Sequence, residues 1–229
     1  MPRTLAAVQS SYIPWKGYFD LIRRSDEFIL FDDVQFTRRD WRNRNRIKTK
    51  DGLLWLTIPV DSKGQYTQAI KDVRISEPGW NMRHWKTIAA AYARAAHFRE
   101  YRDRFESAYA RAVSPWLSEV NRLFIEEVCD VLGIRTPLRW SMEYTIVEGK
   151  SERLLSLCRQ AGADTYLSGP SAGAYLDTAA FEAAGVSVQF MSYDGYREYS
   201  QLFPPFEHQV SVLDVIFNEG AAAAALCTT

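Results

Sequence analysis

The chain has 229 residues, of which 47% are hydrophobic, so it can bury one sizeable core and we expect one domain over 1–229. Lys plus Arg and Asp plus Glu number 28 each, so the chain lacks the excess of one sign that bulk binding to nucleic acid or to an anionic membrane requires, although a local basic patch stays open. The three cysteines show no metal-ligand spacing and no apolar run approaches the ~20 residues of a membrane span, so we expect a cytoplasmic protein without a metal, a nucleic-acid partner or a membrane anchor.

The first part of the chain alternates strand and helix patterns. The apolar run 4–8 predicts a buried strand, and helical spacing over 14–25 predicts a helix after it. Residues 27–34 predict a second buried strand with acidic residues at its carboxyl end. Further strands are expected at 53–60 and 72–76. Strand, loop, helix and strand over ~30 residues form a βαβ unit.

From about 80 to 132 the sequence becomes helical and rich in Ala, Arg and Glu, which indicates a helical lobe inserted into the domain. Alternation resumes afterwards. Strands are predicted at 137–144, 165–169 and 186–193, and helices at 151–163, 173–185 and 211–220. Strands that alternate with helices predict an α/β fold, which we interpret as a Rossmann-like three-layer sandwich with a mostly parallel sheet and the inserted helical lobe.

A dense cationic segment follows the second predicted strand. Residues 31–49 carry five arginines and one lysine behind Asp32 and Asp33. Ligands of open α/β sheets bind beyond the carboxyl ends of the strands, and guanidinium groups match carboxylate and phosphate oxygens. We therefore expect an anion-binding wall; the alternative is a solvated loop whose arginines pair with nearby aspartates. The candidate substrate-binding residues are Arg42, Asn43, Arg44 and Asn45.

The loop after the first strand is the second candidate binding segment. A glycine permits close approach of a ligand to the backbone, and the free N–H groups at a helix start favour anions. The alternative is that these side chains only pack a tight turn. The candidates are Gln9, Trp15, Lys16, Gly17 and Tyr18.

Residues 166–177 combine glycines and serines after a predicted strand, a composition that forms an anion-binding nest of backbone N–H groups. The pattern matches neither a phosphate-binding P-loop nor a nucleophile elbow, and a plain turn is the alternative. A further helix start, with Lys150 and Arg153 around a capping Ser151, is either an anion site or a solvated helix end. The candidates in the glycine-rich segment are Ser168, Gly169, Ser171, Tyr175 and Asp177.

Two residues are candidates for moving protons. His84 lies in a tryptophan-rich stretch that would shift its pKa, although a single histidine on a helix is more often structural. Asp33 could act as a base, a metal ligand or a counter-ion of the arginines. The last role is favoured, because a neighbouring arginine lowers a carboxyl pKa and makes it a poor base. Cys158 has the apolar spacing of a core residue.

Three stretches resemble the WbqC-like proteins: QSSYIPWKGYFDLI…FDDVQFTRRDWRNRNRIK, CRQAGADTYLSGPSAGAYLD and YREYSQLFPPFEHQVSVLDVIFNEG. Together they extend over nearly the whole chain and in the family's order. The resemblance implies a bacterial protein of O-antigen or other surface-polysaccharide pathways. It also adds Tyr199 and Gln201, in the aromatic segment 193–206, to the candidate substrate-binding residues.

Three functions stay open. The first is a cytoplasmic transferase of bacterial glycan or secondary metabolism. It would bind an activated anionic substrate, linked to a nucleotide or to a carrier thioester, and transfer an acyl or aminoacyl group to an amine acceptor. A carrier protein is a candidate partner. The second is a nucleotidyltransferase that uses ATP or CTP with Mg²⁺, although the segment 15–18 lacks both histidines of the His-x-Gly-His pattern of that group. The third is a non-catalytic module that binds a sugar nucleotide or a partner.

Overall fold

The fold is known from a computed structural model of the chain, which describes residues 2–229. The strands are β1 (Thr4–Val8), β2 (Glu27–Leu30), β3 (Arg44–Thr49), β4 (Gly52–Thr57), β5 (Leu138–Trp140), β6 (Thr165–Ser168) and β7 (Ser187–Phe190). The α helices are α1 (Lys16–Arg23), α2 (Trp80–Tyr92), α3 (Phe98–Arg111), α4 (Leu117–Val131), α5 (Lys150–Ala161), α6 (Thr178–Ala183), α7 (Leu213–Glu219) and α8 (Ala223–Leu226). No helix within residues 2–229 is both long and apolar enough to cross a membrane.

Five strands form one parallel sheet in the order β5-β2-β1-β6-β7. β1 is central and pairs on one side with β2, where Val8 lies opposite Leu30, and on the other with β6, where Ala6 lies opposite Leu167. Parallel neighbours need crossover connections, and the helices between these strands supply them. The α/β fold with a parallel sheet is confirmed.

Both faces of the sheet are covered, as the apolar runs of its strands require. On β1, Leu5 and Ala7 pack against α5 and α6 in one core cluster. Ala6 points to the opposite face and joins the larger cluster with α1, α7 and the inserted helices. The alternation of strand side chains therefore divides the core into two layers on either side of the sheet.

The predicted helical insertion is confirmed as α2, α3 and α4. Its interior is aromatic: Tyr109 and Phe124 are fully buried with ring centroids 4.6 Å apart, and Phe98 and Phe105 both contact Phe217 of α7. Because these residues belong to the same core cluster as α1, the insertion packs on the sheet domain rather than standing apart from it.

The extents of several predicted strands change. The second strand ends at Leu30, before the aspartates, and the strand expected at 53–60 is β4, which lies outside the main sheet. β4 pairs with β3 in an antiparallel hairpin that the sequence did not indicate, because β3 buries Asn45 and reads as polar. Residues 72–76 form only isolated bridges, such as Val60 with Ile75.

The segment expected to be helical from 173 to 185 divides into two parts. Residues 170–174 form a 3₁₀ turn, and α6 begins only at Thr178. The division follows from Asp177, whose carboxylate accepts a hydrogen bond from the N–H of Ala180 at 3.1 Å and so caps α6 at its start.

The hairpin holds the loop that joins β1 to α1. The N–H of Tyr12 donates to the carbonyl of Trp41 at 3.1 Å. The Asn45 side-chain amide donates to the carbonyls of Tyr12 and Ile13 at 3.1 and 2.7 Å. Since buried carbonyl groups need donors, these contacts let the loop leave the sheet and pass through the core.

A second buried network fixes the start of the same loop. Asp32 is fully buried and accepts hydrogen bonds from the N–H of Ser10 at 2.7 Å and from the Ser118 hydroxyl. Asn121 of α4 donates to the Ser10 hydroxyl at 3.0 Å and to the Arg42 carbonyl at 2.9 Å. Burial raises the pKa of Asp32, while the hydrogen bonds from Ser10 and Ser118 lower it. The network joins sheet, insertion and hairpin.

Replacing Asn45 by alanine should lower the free energy of unfolding by about 1–3 kcal/mol, because two buried carbonyls lose their donor. Urea unfolding followed by circular dichroism measures this. Arg38→Ala, an exposed change in the preceding turn, should stay within about 0.5 kcal/mol. Equal effects of the two substitutions would contradict the anchoring role of Asn45.

Candidate functional site

The strand order places a topological switch point at β1. The chain leaves β1 towards β2 on one side, and the later strand β6 lies on the other. In open α/β sheets ligands bind beyond the carboxyl ends of the strands at such a point. Here those ends lead into Gln9 after β1, Phe31 after β2 and Gly169 after β6. We call this region the switch-point edge.

An aromatic wall stands at the switch-point edge. The Trp15 ring lies over Gly17, where an added Cβ would come within 2.3 Å of the ring. The same ring meets Tyr193 and Tyr196 edge-on, with centroid distances of 5.0 and 5.7 Å. A Cβ on Gly169 would lie 3.3 Å from the Tyr193 hydroxyl. Gly17 therefore makes room for Trp15, and Tyr193, which follows β7, belongs to the site although the sequence did not single it out.

Gln9 has a fixed backbone and a free side chain. Its carbonyl accepts hydrogen bonds from the Arg42 guanidinium at 3.0 Å and from the Tyr18 hydroxyl at 3.2 Å. Its carboxamide forms no hydrogen bond with any of residues 2–229. A half-exposed amide on a held backbone is suited to hydrogen-bond a ligand edge.

The four candidates of the cationic segment mostly contact the protein itself. Arg42 donates to the carbonyls of Gln9 and Ser10 and to the Ser11 hydroxyl, and it lies 3.7 Å from Asp40. Asn43 and Asn45 are buried and donate to main-chain carbonyls, while Arg44 lies over the Trp55 ring at 4.2 Å. These contacts assign Arg42 and Asn45 to the support of the loop between β1 and α1, and Asn43 to the base of the hairpin through Ile58. The binding of an anion by these residues stays a prediction.

Asp33 pairs with an arginine that is distant in the sequence. Its carboxylate accepts a hydrogen bond from the Ser141 hydroxyl at 2.5 Å and lies 3.5 Å from the Arg153 guanidinium. Arg153 also donates to the Val147 carbonyl at 3.0 Å and lies 6.0 Å from the Phe31 ring. The counter-ion of Asp33 is therefore Arg153, and the base or ligand role of Asp33 stays a prediction.

Arg153 belongs to the first turn of α5, whose amino end reaches the switch-point edge. The helix begins after Gly149, which has φ +94°, and not after Ser151 as the sequence suggested. Ser151 instead accepts a hydrogen bond from the N–H of Asp177 at 2.9 Å. This turn carries Lys150 and Arg153 together with its free N–H groups, and the carboxylates of Glu152 and Asp33 lie beside them.

The glycine-rich segment after β6 contributes unequally. Ser168 is buried in the strand, whereas Ser171 and Tyr175 are exposed beside the edge. Asp177 caps α6 and contacts α5 through Ser151, so its carboxylate is already engaged. Ligand binding by Ser168, Gly169, Ser171, Tyr175 and Asp177 stays a prediction.

His84 is tied into the interior of the insertion. Its Nδ1 lies 2.9 Å from the Tyr12 hydroxyl, which in turn lies 2.7 Å from the Tyr109 hydroxyl. Burial lowers the pKa of His84 to about 4, so the ring is neutral at pH 7. These contacts support the structural alternative, and the catalytic assignment of His84 stays a prediction.

Tyr199 and Gln201 form a separate buried cluster around Asp214. The Tyr199 hydroxyl and the Gln201 amide donate to the Asp214 carboxylate at 2.7 and 3.0 Å, and Tyr92 donates to its other oxygen at 2.7 Å. Lys48 donates to Gln201 at 2.6 Å. Asp214, in the first turn of α7, thereby anchors the segment that follows β7. Substrate binding by Tyr199 and Gln201 stays a prediction.

Lys16 lies between the switch-point edge and the buried cluster around Asp214. Its ammonium group donates to the Arg197 carbonyl at 3.0 Å and lies 5.0 and 5.2 Å from the rings of Tyr196 and Tyr199. Burial lowers the pKa of Lys16. The side chain therefore points into the segment after β7 rather than towards the switch-point edge.

One protein-family model matches most of the chain. The family described as "WbqC-like protein family" matches residues 9–225. The chain is 48% identical over 221 residues to the "Uncharacterized protein Rv1507c" of Mycobacterium tuberculosis, and the match covers 96% of each protein. No solved structure matches the chain.

Gly17→Ala should lower the free energy of unfolding by about 1–3 kcal/mol, because the new Cβ displaces the Trp15 ring. Helix propensity alone predicts the opposite sign, a gain of about 1 kcal/mol. Urea unfolding decides between them. In a Trp15→Leu background the same change should become neutral or stabilising; destabilisation of the same size there would remove Trp15 as its cause.

The pKa of His84 predicts a pH dependence of stability. Its pKa is lower in the folded chain than the ordinary 6.5, so the unfolded chain binds the proton first as the pH falls. Stability from this group is complete above pH about 6.5, and about 2 kcal/mol is lost between pH 7 and pH 5. Urea unfolding at both pH values should show a smaller difference for His84→Gln. Identical pH dependences would contradict the burial of a neutral ring.

Proposed function

The chain belongs to the WbqC-like protein family, and from that premise we propose that it is a cytoplasmic transferase of bacterial glycan or secondary metabolism. It binds an activated anionic substrate, linked to a nucleotide or to a carrier thioester, at the switch-point edge. It transfers an acyl or aminoacyl group from this substrate to an amine acceptor.

The observation that supports this proposal most is that Gln9 and Asp33, the latter paired with Arg153, follow the carboxyl ends of the adjacent strands β1 and β2, while Trp15 contacts Tyr193 beyond β7. The amino end of α5 and Arg153 attract a phosphate or carboxylate. The free amide of Gln9 and the aromatic wall of Trp15 and Tyr193 orient a planar group beside it. We therefore propose Arg153, in place of Arg42 and Arg44, as the contact of the anion.

The three thiols support direct transfer without a cysteine-bound intermediate. Cys129, Cys158 and Cys227 are buried, and burial raises the pKa of each to about 12. A protonated thiol is a poor nucleophile. In direct transfer the acceptor nitrogen forms a bond to the acyl carbon, and the bond to the thiolate or phosphate leaving group breaks with its electron pair. The proton that the nitrogen loses passes to this leaving group. Catalysis then rests on orientation and on charge stabilisation of the leaving group.

Nucleotidyl transfer is the weaker enzymatic hypothesis. It would use Asp33 to hold Mg²⁺, but both carboxylate oxygens of Asp33 already face protein donors, Ser141 and Arg153. Freeing them for a metal would leave Arg153 without its carboxylate. The acyl-transfer proposal keeps this pair intact and uses the remaining N–H groups of Arg153.

The test is a thermal-shift screen with ATP, CTP, UDP-sugars and acyl thioesters. A substrate at ~100 times its dissociation constant should stabilise the fold by about 2.7 kcal/mol. Arg153→Gln should weaken the binding of the stabilising compound about tenfold or more, because the charged hydrogen bonds are lost. Arg159→Gln, in the last turn of the same helix, should leave affinity unchanged.

Two results would overturn the assignment of the site. One is full affinity in Arg153→Gln together with lost affinity in Arg42→Gln of intact fold, which would return the anion to the cationic segment. The other is a stabilising ligand that releases pyrophosphate in the presence of Mg²⁺, which would establish nucleotidyl transfer instead.

A further inference from the structure

The β3–β4 hairpin exposes an apolar surface that the proposed function does not use. Trp41, Leu53, Leu54 and Trp55 are each 38–42% exposed and are neighbours on or beside this hairpin. β4 contains no charged residue and no proline. Natural proteins normally protect an open edge strand with such residues, so an exposed apolar edge indicates a binding surface.

The same region is strongly cationic in a chain without net charge. Residues 38–57 contain seven Arg and Lys against two Asp. Arg44 lies 4.2 Å from the Trp55 ring, and Arg46 lies 5.6 and 5.5 Å from the rings of Trp41 and Trp55. Within residues 2–229 neither arginine has a carboxylate within 4.0 Å, and the Nε atom of each is buried without a hydrogen-bond partner. The two guanidinium groups are therefore held in place with no counter-ion.

The exposed apolar side chains lie on both faces of the end of the hairpin. Leu53 pairs with Lys48 and Leu54 with Ile47, so consecutive leucines point to opposite faces of the two-stranded sheet. Both are about equally exposed. A rigid partner laid on one face would cover one leucine and leave the other in water, whereas a fluid apolar medium surrounds both.

We propose that the β3–β4 hairpin, together with Trp41, binds the surface of an anionic lipid bilayer. The leucines next to the turn enter the boundary between headgroups and acyl chains. Trp41 and Trp55 occupy the interface, where indole rings combine an apolar body with a polar N–H group. Arg44 and Arg46 extend along the indole faces to lipid phosphates. The interaction is peripheral and depends on the local charge, not on the net charge of the chain.

The first experiment is co-sedimentation of the full chain with large unilamellar vesicles. Vesicles of phosphatidylcholine with about 30 mol % phosphatidylglycerol should bind the protein, and pure phosphatidylcholine should bind it much less. Binding should fall steeply between about 0.05 and 0.5 M NaCl, because salt screens exposed charges. Tryptophan emission should shift to shorter wavelength as Trp41 and Trp55 leave water.

Matched variants separate the hairpin from the rest of the surface. Leu53→Asp and Leu54→Asp should each reduce the vesicle partition coefficient about tenfold, since each puts a charge into the interface. Val113→Asp also replaces an exposed apolar side chain by an acidic one, but at a site between α3 and α4, and should leave the partition coefficient unchanged. Lys50→Gln, in the exposed turn between β3 and β4, should weaken vesicle binding at low salt, whereas Arg99→Gln, at an exposed position of α3, should not. Circular dichroism verifies that each variant is folded.

Several outcomes would overturn the proposal. These are no sedimentation with anionic vesicles at low salt, equal binding to neutral vesicles, or equal losses in Leu53→Asp and Val113→Asp. If a hairpin substitution changes the molar mass measured by light scattering but leaves vesicle binding unchanged, the surface contacts another protein chain instead. Arg153→Gln should bind vesicles normally, so failure of the switch-point assignment and failure of this one are distinguishable.

Discussion

The structure depends on satisfying the buried carbonyl groups of the loop between β1 and α1. This loop leaves the sheet edge, enters the aromatic interior of the insertion and returns to begin α1. Arg42 supplies donors to the carbonyls of Gln9 and Ser10, and Asn45 supplies them to Tyr12 and Ile13. Without these donors the loop would carry unpaired polar groups at a cost that few local contacts offset.

The candidate site inherits its geometry from this constraint. Because Arg42 and Asn45 hold the backbone of the loop, Gln9 stays at the carboxyl end of β1 and the Trp15 ring stays against Tyr193. The positive charge at that edge comes from elsewhere, from Arg153 in the first turn of α5 beside Asp33. The cationic segment thus has two faces. Its inner residues support the loop, and its outer arginines lie on the exposed indoles of the hairpin.

The parallel sheet could be predicted from the sequence, because strands buried on both faces have unbroken apolar runs, as in 4–8. The hairpin could not, because one face of β3 carries Arg44, Arg46 and Lys48 and the buried face includes the polar Asn45. The residue types of the candidate site were also predictable, but not their partners. Arg42 is plainly a donor, yet its acceptor is a backbone oxygen 33 residues earlier in the chain, and sequence spacing does not reveal such a pair.

The most direct test of this account is amide hydrogen exchange over 9–15, compared between wild type, Arg42→Gln and Arg44→Gln. If Arg42 supports the loop, Arg42→Gln should accelerate exchange in this segment while β6 and β7 stay protected, and Arg44→Gln should leave the segment unchanged. Unchanged exchange in Arg42→Gln, or equal acceleration by both substitutions, would contradict the claim that the loop and the site it shapes depend on this donor.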